Sequence, residues 1–481
     1  MATDKGLIEL ASMVKKGEIT CEEIAQSFLN RIKDKDSEIK SYITINENVI
    51  AEAKEADQRR KNGKEKSPYD GIPVAIKDNI NTKGIKTTCA SHLLKDFVPP
   101  YDAGSIEKLK DAGMIILGKT NLDEFAMGSS TENSSFGPTK NPHDITRVPG
   151  GSSGGSAASV AARFAPVSLG SDTGGSIRQP ASFCGVVGIK PTYGRVSRYG
   201  LTAFASSLDQ IGTFGNSVDD AAQLLAIISG HDKRDSTSVD SDVDFAPDDL
   251  SDDMKGKVIG IPEEYYRGVN DEIKAAIDQK IDILKEQGAE VKLISLQYTD
   301  YAIPVYYLIA TAEASSNLAR FDGVRYGTRS KLSEDLKSLY LKSRSEGFGT
   351  EVKRRIILGT YSLSSGYYDA YYLKALKGRT LIINDFKNAF KEVDALITPV
   401  TTDSAFRLGE MTNDPLKMYM SDVLTISANL AGIPGLSMPI GKDSNNLPIG
   451  LQILGSHFKE STILSIAKAI EKSCETLHPN M

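Results

Sequence analysis

The sequence has few of the features that mark membrane, secreted or metal-binding proteins. Its 481 residues contain no uninterrupted apolar run of about 18, so we expect no segment to span a membrane. Asp4, Lys5 and Glu9 stand where a secretory signal would be apolar. The four cysteines lie far apart, with no CxxC pair or Cys/His cluster, which argues against a zinc site or a disulfide framework. We therefore expect a protein of the reducing cytoplasm with no bound metal.

The sequence also lacks an excess of positive charge and a histidine placed for catalysis. Lys and Arg number 57 against 63 Asp and Glu, which disfavours nucleic-acid binding by the chain as a whole. None of the five histidines lies in a motif with a nucleophile, so a Ser-His-Asp hydrolase has little support. Residues 151–155 match GxSxG, but residues 146–149 do not form the strand that a nucleophile elbow needs. No Gly-Lys-Ser/Thr follows, which excludes a phosphate-binding loop.

What the sequence does contain is typical of a large globular α/β protein. Hydrophobic residues make up 40% and charged residues 25%, near the globular average. Short apolar runs predict buried strands, and the apolar period of residues 271–287 predicts an amphipathic helix between two of them. The predicted strands are 73–76, 114–117, 258–261, 291–296, 395–398, 436–440 and 449–454. We expect a single large α/β/α domain around a mixed β-sheet.

The predicted domain contains segments of different composition. Residues 1–65 are predicted to be an N-terminal helical segment packed on the core, with a capping box at Thr20 and Glu23. Residues 66–481 are predicted to form the main part of the same domain. The acidic stretch 231–255 has almost no apolar period, and we expect it to be an exposed connection.

Three segments carry residues suited to acyl transfer. In DGIPVAIKDNI, residues 70–80, Lys77 ends an apolar strand, and desolvation there would lower the pKa of its ammonium group. In VPGGSSGGSAASVAA, residues 148–162, Ser152 and Ser153 lie on a glycine-rich turn. In SLGSDTGGSIRQPA, residues 168–181, Ser176 follows a Gly pair whose N–H groups can form an anion-binding concavity. A nucleophile beside such donors is what acyl transfer requires.

Each of these residues has an ordinary structural explanation when taken alone. A lysine at a strand end is usually a surface charge, paired serines are common in turns, and Ser176 could be a helix N-cap. The three segments occur together, however, and together they favour a catalytic function.

The three strings resemble the amidase signature family. The resemblance runs from about residue 5 to about residue 475, and its longest strings are similar to members that hydrolyse glutamine within an amidotransferase of several subunits. Those strings are EASSNLARFDGVRYG (313–327), SRSEGFGTEVKRRIILGTYSLSSGYYDAYY (343–372) and ANLAGIPGLSMPIG (428–441). The resemblance implies that Ser176 is the nucleophile, Ser152 the bridging serine and Lys77 the general base. It also implies a cis peptide between Gly151 and Ser152.

The same resemblance implies an oxyanion hole in the loop that carries the nucleophile. Its donors would be the backbone N–H groups of Thr173, Gly174, Gly175 and Ser176. Free glutamine would also be held by its α-amino and α-carboxylate groups, and a guanidinium suits the carboxylate through a bidentate pair.

For the substrate, the resemblance places Arg355 at the α-carboxylate of glutamine and Asp422 at its α-ammonium group. Tyr306 lines the pocket, and Ser130 is a further candidate contact. Reasoning from the residue types alone leaves two choices open, Arg354 or Arg355 and Tyr306 or Tyr307.

The resemblance further implies partners for this chain. The ammonia released from glutamine would convert misacylated Glu-tRNA(Gln) to Gln-tRNA(Gln). A larger partner subunit would bind the tRNA and use ATP and Mg, and a small third subunit would tie the two together. This chain would need no cofactor of its own and would contact tRNA only indirectly.

Two alternatives remain open at this point. A stand-alone amidase acting on small aryl or aliphatic amides would share Lys77, Ser152 and Ser176 but would not need Arg355 and Asp422. A non-catalytic scaffold or nucleotide-binding module could use the same glycine-rich loops, and it predicts no labelling by a serine-reactive phosphonate.

Overall fold

The computed structural model describes residues 1–479. Its eleven strands within that range are β1 Tyr42–Ile45, β2 Pro73–Lys77, β3 Ile115–Thr120, β4 Val167–Asp172, β5 Val187–Lys190, β6 Gln210–Gly215, β7 Val258–Pro262, β8 Glu290–Ile294, β9 Ala395–Pro399, β10 Gly435–Lys442 and β11 Pro448–Gly455. The α-helices within that range are α1 Leu7–Lys15, α2 Cys21–Ile39, α3 Val49–Lys61, α4 Gly104–Asp111, α5 Gly154–Ala161, α6 Arg178–Cys184, α7 Val218–Ile228, α8 Asp271–Glu286, α9 Ala302–Leu318, α10 Leu336–Gly347, α11 Thr350–Ser362, α12 Lys374–Ala389, α13 Pro415–Met420, α14 Ile426–Ala431 and α15 Glu460–Glu471.

All eleven strands join one mixed sheet in the order β1-β3-β2-β4-β6-β5-β10-β11-β9-β7-β8. The pairs β2–β3, β2–β4, β7–β8 and β7–β9 are parallel, and the remaining neighbours are antiparallel. Each predicted strand overlaps one of these strands, and the predicted helix 271–287 coincides with α8. The expected α/β fold around a mixed sheet is confirmed.

Helices cover both faces of the sheet because its strands bury side chains on both sides. Along β6, Ile211 belongs to the large core that includes α7, α8 and α15, whereas Phe214 packs with α5 and α6 on the other face. The two residues are three apart, and alternation along a strand places them on opposite faces. Within residues 1–479, no helix is both long and apolar enough to cross a membrane.

The N-terminal segment departs from the sequence prediction at one point. The capping box at Thr20 and Glu23 is confirmed at the start of α2. Residues 42–45, which we expected to be helical, form the edge strand β1 and pair antiparallel with β3. The segment YITI is rich in β-branched and aromatic residues, and the exposed edge of β3 completes its hydrogen bonding. The division of the chain at residue 65 stays a prediction.

The acidic stretch 231–255 is largely irregular, as its composition predicts, but it is not wholly exposed. Phe245 and Met254 are buried in the main core. These two apolar side chains fix the connection to the domain.

The arrangement of β2 and β4 decides where the chemistry can occur. These strands are parallel neighbours, with Ala75 opposite Ser168 and Ile76 opposite Leu169. Their carboxyl ends therefore lie at the same edge of the sheet, which is where parallel α/β sheets bind ligands. Lys77 ends β2 there, and the loop that carries Ser176 begins directly after β4.

Candidate active site

Lys77 lies at the centre of a ring of serine oxygens. Its side chain is fully buried, and its Nζ is 2.8 Å from Ser152 Oγ, 2.8 Å from Ser153 Oγ and 2.9 Å from Ser171 Oγ. The Ser153 hydroxyl donates to the backbone oxygen of Ser171 at 3.0 Å, and Asn79 Nδ2 donates to Ser171 Oγ at 2.9 Å. The oxygens of Ser153 and Ser171 are thus each held in place by a second contact.

The burial of Lys77 changes its acid–base chemistry. Desolvation lowers the pKa of Lys77 from its ordinary value of 10.5 to about 7, although the carboxylates of Asp123, Asp172 and Asp209 act in the opposite direction. A lysine with this pKa is partly neutral near pH 7 and can accept a proton.

The peptide bond between Gly151 and Ser152 is cis, as the resemblance implies. The Gly151 N–H donates to Gln179 Oε1 at 2.9 Å, and the Ser153 N–H donates to the Ser176 carbonyl oxygen at 3.3 Å. These contacts join the serine turn before α5 to the first turn of α6 and to the loop that leads into it. The structure therefore brings Lys77, Ser152 and the Ser176 backbone together.

Ser176 differs from the other serines of the site in its access to solvent. It is partly exposed, whereas every other residue from 148 to 192 is buried. Its hydroxyl makes no hydrogen bond to the described residues, while Ser152 and Ser153 are fully buried against Lys77. A substrate can reach the hydroxyl of Ser176 without moving the buried serines.

The loop after β4 is organised by the buried carboxylate of Asp172. Asp172 accepts hydrogen bonds from the N–H groups of Gly175 at 2.8 Å and Ile177 at 3.1 Å, and it pairs with Arg178. Burial alone would raise the pKa of Asp172, but Arg178 and the amide of Asn429 hold it at about 2. Asp172 is therefore ionised and fixes the turn at neutral pH.

The same contact distinguishes among the predicted oxyanion donors. The Gly175 N–H is already paired with Asp172, whereas no hydrogen bond of the Gly174 or Ser176 N–H is present within residues 1–479. Thr173 is fixed by its hydroxyl, which donates to Asp209 Oδ1 at 2.7 Å. Gly175 has a φ of +137°, a conformation that favours glycine, so its contribution is to the shape of the turn.

Tyr306, on α9, lies directly against this turn. A Cβ atom at position 174 would lie 2.7 Å from Tyr306 Oη, so only glycine allows this close approach. The neighbouring Tyr307 ring is 5.0 Å from that of Tyr306 and stacks on Tyr419 with centroids 4.1 Å apart. Both tyrosines that the sequence left as alternatives therefore face the site, Tyr306 at the turn and Tyr307 farther out.

Of the two adjacent arginines on α11, Arg355 is the one that points inward. It is 1% exposed, and its Cζ lies 5.5 Å from the ring centre of Tyr307 and 5.3 Å from that of Tyr419. Its Nη2 atom is buried without a hydrogen-bond partner among the described residues. The side chain of Arg354 is 39% exposed, and both arginines pair with Glu351.

Asp422, between α13 and α14, supplies a buried acidic group that complements the basic group of Arg355. Ser129 donates to its Oδ2, while its Oδ1 is buried without a partner within residues 1–479. Burial raises the pKa of Asp422 to about 8. A cation placed beside Oδ1 would lower that pKa and stabilise the ionised form.

Ser130 adds a further unpaired polar atom to this region. Ser130 and Arg355 line one cavity of about 110 Å³ together with Tyr419. Four side-chain atoms at this end of the site are buried without partners among the described residues, namely Ser130 Oγ, Tyr307 Oη, Arg355 Nη2 and Asp422 Oδ1. Buried polar atoms are seldom left unpaired, so this group points to a polar ligand.

Ser171, Asn79 and Gln179 were not predicted from the sequence, and Ser153 was named only as a residue of the glycine-rich turn. Ser153, Ser171 and Asn79 surround Lys77, and Gln179 links the serine turn to the segment that contacts Asp422 by donating to Ser129 O at 3.0 Å. The parallel register of β2 and β4 is the signal that would place Ser171 near Lys77. That register is a tertiary property which no local sequence pattern carries.

Comparison with known proteins agrees with this geometry. The sequence model of the Amidase family matches residues 23–464. This chain therefore belongs to the amidase family, and the resemblance seen in its motifs is confirmed. The peptide amidase of Stenotrophomonas maltophilia has the same fold, with a TM-score of 0.85 at 29% identity over 99% of each chain.

Closer relatives fall in one branch of the family. The chain is 57% identical to the A subunit of glutamyl-tRNA(Gln) amidotransferase from Persephonella marina, over 97% of each chain. It is 56% identical to the protein of the same name from Carboxydothermus hydrogenoformans, over 97% of this chain and 96% of that one. The crystal structure of the corresponding A subunit from Thermotoga maritima has a TM-score of 0.84 at 42% identity, covering 100% of this chain and 99% of that one.

Proposed function

We propose that this chain is the glutamine-hydrolysing subunit of a glutamyl-tRNA(Gln) amidotransferase. One observation carries the proposal. Near the serine–lysine site, a guanidinium nitrogen of Arg355 and a carboxyl oxygen of Asp422 are both buried, and neither has a hydrogen-bond partner among the described residues. A free amino acid carries one anionic and one cationic group, and these two side chains complement them. The close relatives are named as A subunits of glutamyl-tRNA(Gln) amidotransferase, which supports the same activity.

The hydrogen bonds around Lys77 suggest the direction of proton transfer. The single proton of Ser153 is used on the Ser171 carbonyl oxygen, so Ser153 must accept from the amine. The Ser152 hydroxyl has no hydrogen bond besides that to Lys77 among the described residues, so it can donate to the neutral amine. Ser152 would in turn accept the proton of Ser176, which makes it the bridge between base and nucleophile.

The reaction then proceeds through an acyl-enzyme. Ser176 Oγ attacks the side-chain carbonyl carbon of glutamine, and its proton passes through Ser152 to Lys77. The C–N bond breaks, and the amide nitrogen takes a proton from this relay and leaves as ammonia. Water hydrolyses the glutamyl ester of Ser176 and releases glutamate.

The developing negative oxygen needs preorganised donors. The backbone N–H groups of Gly174 and Ser176 would be these donors, together with that of Thr173 at the start of the turn. The Gly175 N–H is not available, because it already donates to Asp172. Tyr306 would cover the substrate side chain, and Ser130 would bind the backbone end of glutamine, beside Arg355.

The ammonia would serve a reaction on partner subunits. In the proposed complex, a larger subunit binds Glu-tRNA(Gln) and activates it with ATP and Mg, a small third subunit joins the two, and the assembly acts in the cytoplasm. This chain supplies ammonia with its own side chains and would contact the tRNA only indirectly.

Loss of Arg355 should impair glutamine recognition rather than chemistry. We expect Arg355→Ala to raise KM for glutamine about 30- to 1,000-fold, because a charged pair with the substrate carboxylate is lost. The rate at which an uncharged phosphonate labels Ser176 should change by less than about threefold. Steady-state glutaminase assays and labelling kinetics measure the two effects, with the exposed neighbour Arg354→Ala as the matched control. Equal losses in both assays would indicate a folding defect and contradict the proposal.

Glutaminase activity should also depend on the partners. We expect low activity from the isolated chain and higher activity once the two other subunits, ATP and Glu-tRNA(Gln) are added, because partners that favour the aligned site raise its population. Assays of the isolated chain and of the reconstituted complex test this. Full activity of the isolated chain, unchanged by any partner, would favour a stand-alone amidase.

A further inference from the structure

Glu351 has no part in the chemistry proposed above, yet it contacts the guanidinium group of Arg355, which is proposed to bind the substrate carboxylate. Its Oε1 accepts hydrogen bonds from Arg355 Nε at 2.8 Å and from Tyr419 Oη at 2.8 Å. Its Oε2 pairs with Arg354. The Glu351 side chain is only 10% exposed, so these contacts are shielded from solvent, unlike an ordinary surface pair on a helix. Although burial opposes it, Arg355 keeps the pKa of Glu351 below its ordinary value, so the group is ionised.

These contacts restrict how Arg355 can meet a ligand. A guanidinium binds a carboxylate in a bidentate manner either through Nε and Nη2 or through its two Nη atoms. Glu351 occupies Nε, and Nη2 is buried without a partner among the described residues. A substrate carboxylate must therefore approach the end of the guanidinium formed by Nη1 and Nη2.

Glu351 also opposes a competing arrangement within the site. Ser129 donates to Asp422 Oδ2, and its chain neighbours Gly128 and Ser130 line the same cavity as Arg355, so the two charged groups lie at one end of the site. Without Glu351, Arg355 Nε would lose its acceptor, and the guanidinium could turn toward Oδ1 of Asp422, which has no partner within residues 1–479. Such an internal ion pair would occupy both groups that recognise the amino acid.

We propose that Glu351 is a positioning residue that holds Arg355 away from Asp422 and presents its Nη1–Nη2 end to the α-carboxylate of glutamine. Tyr419 assists by donating to the same carboxylate oxygen while its ring packs against the guanidinium. The inference rests on the proposed function, because it requires a substrate that carries a carboxylate.

A series of variants separates positioning from a general structural role. Glu351→Ala should raise KM for glutamine about 10- to 50-fold with kcat within about threefold, since the interaction lost is with substrate binding. Glu351→Gln should stay within about threefold of the wild-type KM, because its amide oxygen can still accept from Arg355 and Tyr419. Tyr419→Phe keeps the ring and should raise KM about threefold. The assays use the chain in its complex, and labelling of Ser176 by an uncharged phosphonate should change less than about twofold in all three variants.

The controls distinguish failure of this inference from failure of the proposed function. Arg354→Ala removes the exposed partner of Glu351 and should leave KM unchanged. A wild-type KM in Glu351→Ala, with KM still raised in Arg355→Ala, would overturn the positioning role alone. An unchanged KM in Arg355→Ala would overturn the proposed glutamine site itself. Loss of phosphonate labelling in Glu351→Ala would show a structural role and would equally overturn the positioning role.

Discussion

Replacing Ser176 by alanine is expected to abolish glutamine hydrolysis while the chain keeps its fold. Ser176 is the partly exposed serine of the site, and its hydroxyl makes no hydrogen bond to the described residues. Removing that hydroxyl therefore costs little stability, in contrast to the buried hydroxyl of Ser153, which both accepts from Lys77 and donates to Ser171. Loss of a nucleophile lowers kcat by about four to six orders of magnitude.

Two measurements check this result. Glutaminase turnover of Ser176→Ala should fall to background, and its thermal unfolding should match that of the wild type. Mass spectrometry of the wild type, quenched during turnover, should locate a glutamyl ester on Ser176. An ester on Ser152 or Ser153 instead would refute the assignment.

The fold was predictable from the sequence where strands are buried on both faces. Largely apolar runs such as 73–76 and 449–454 are typical of central strands, and they lie in β2 and β11. Four strands within residues 1–479 were not predicted, namely β1, β4, β5 and β6. β1 is a four-residue edge strand between helices, and β6, Gln210–Gly215, contains two glycines. Their pairing with β3 and with β4 and β5 is a tertiary contact, so local patterns could not predict it.

The site was predictable where residues adjacent in sequence share a motif, and less so where helices meet. Lys77, Ser152 and Ser176 lie in three recognisable strings. Arg354 and Arg355 are neighbours about 100° apart on one helix, so the packing of α11 against α9 decides which of them is buried. The functions of Glu351 and Tyr419 depend on atoms that meet only in the folded chain.

The titration of Lys77 is expected to make glutaminase activity strongly dependent on pH. The pKa of Lys77 is lowered to about 7 by burial, and the neutral amine is the form that can accept the proton of Ser152. Activity should therefore be lost as the pH falls through about 7, since about a tenth of the amine is neutral at pH 6 and about nine-tenths at pH 8. Burial raises the pKa of Asp422 to about 8, so its titration would add a second pH dependence when activity is measured with glutamine.

An uncharged reagent separates these two groups. Labelling of Ser176 by an uncharged phosphonate does not require Asp422, so its pH profile should lack the limb of Asp422 and reach a plateau above about pH 8. Lys77→Arg keeps a cation that cannot lose its proton in this range, and we expect it to lower kcat about 10²- to 10⁴-fold at any pH. Lys77→Met, which fits the apolar strand without the larger guanidinium, should lose as much activity. A labelling rate that stays constant between about pH 6 and pH 8, or near wild-type turnover in Lys77→Arg, would contradict the assignment of Lys77 as the general base.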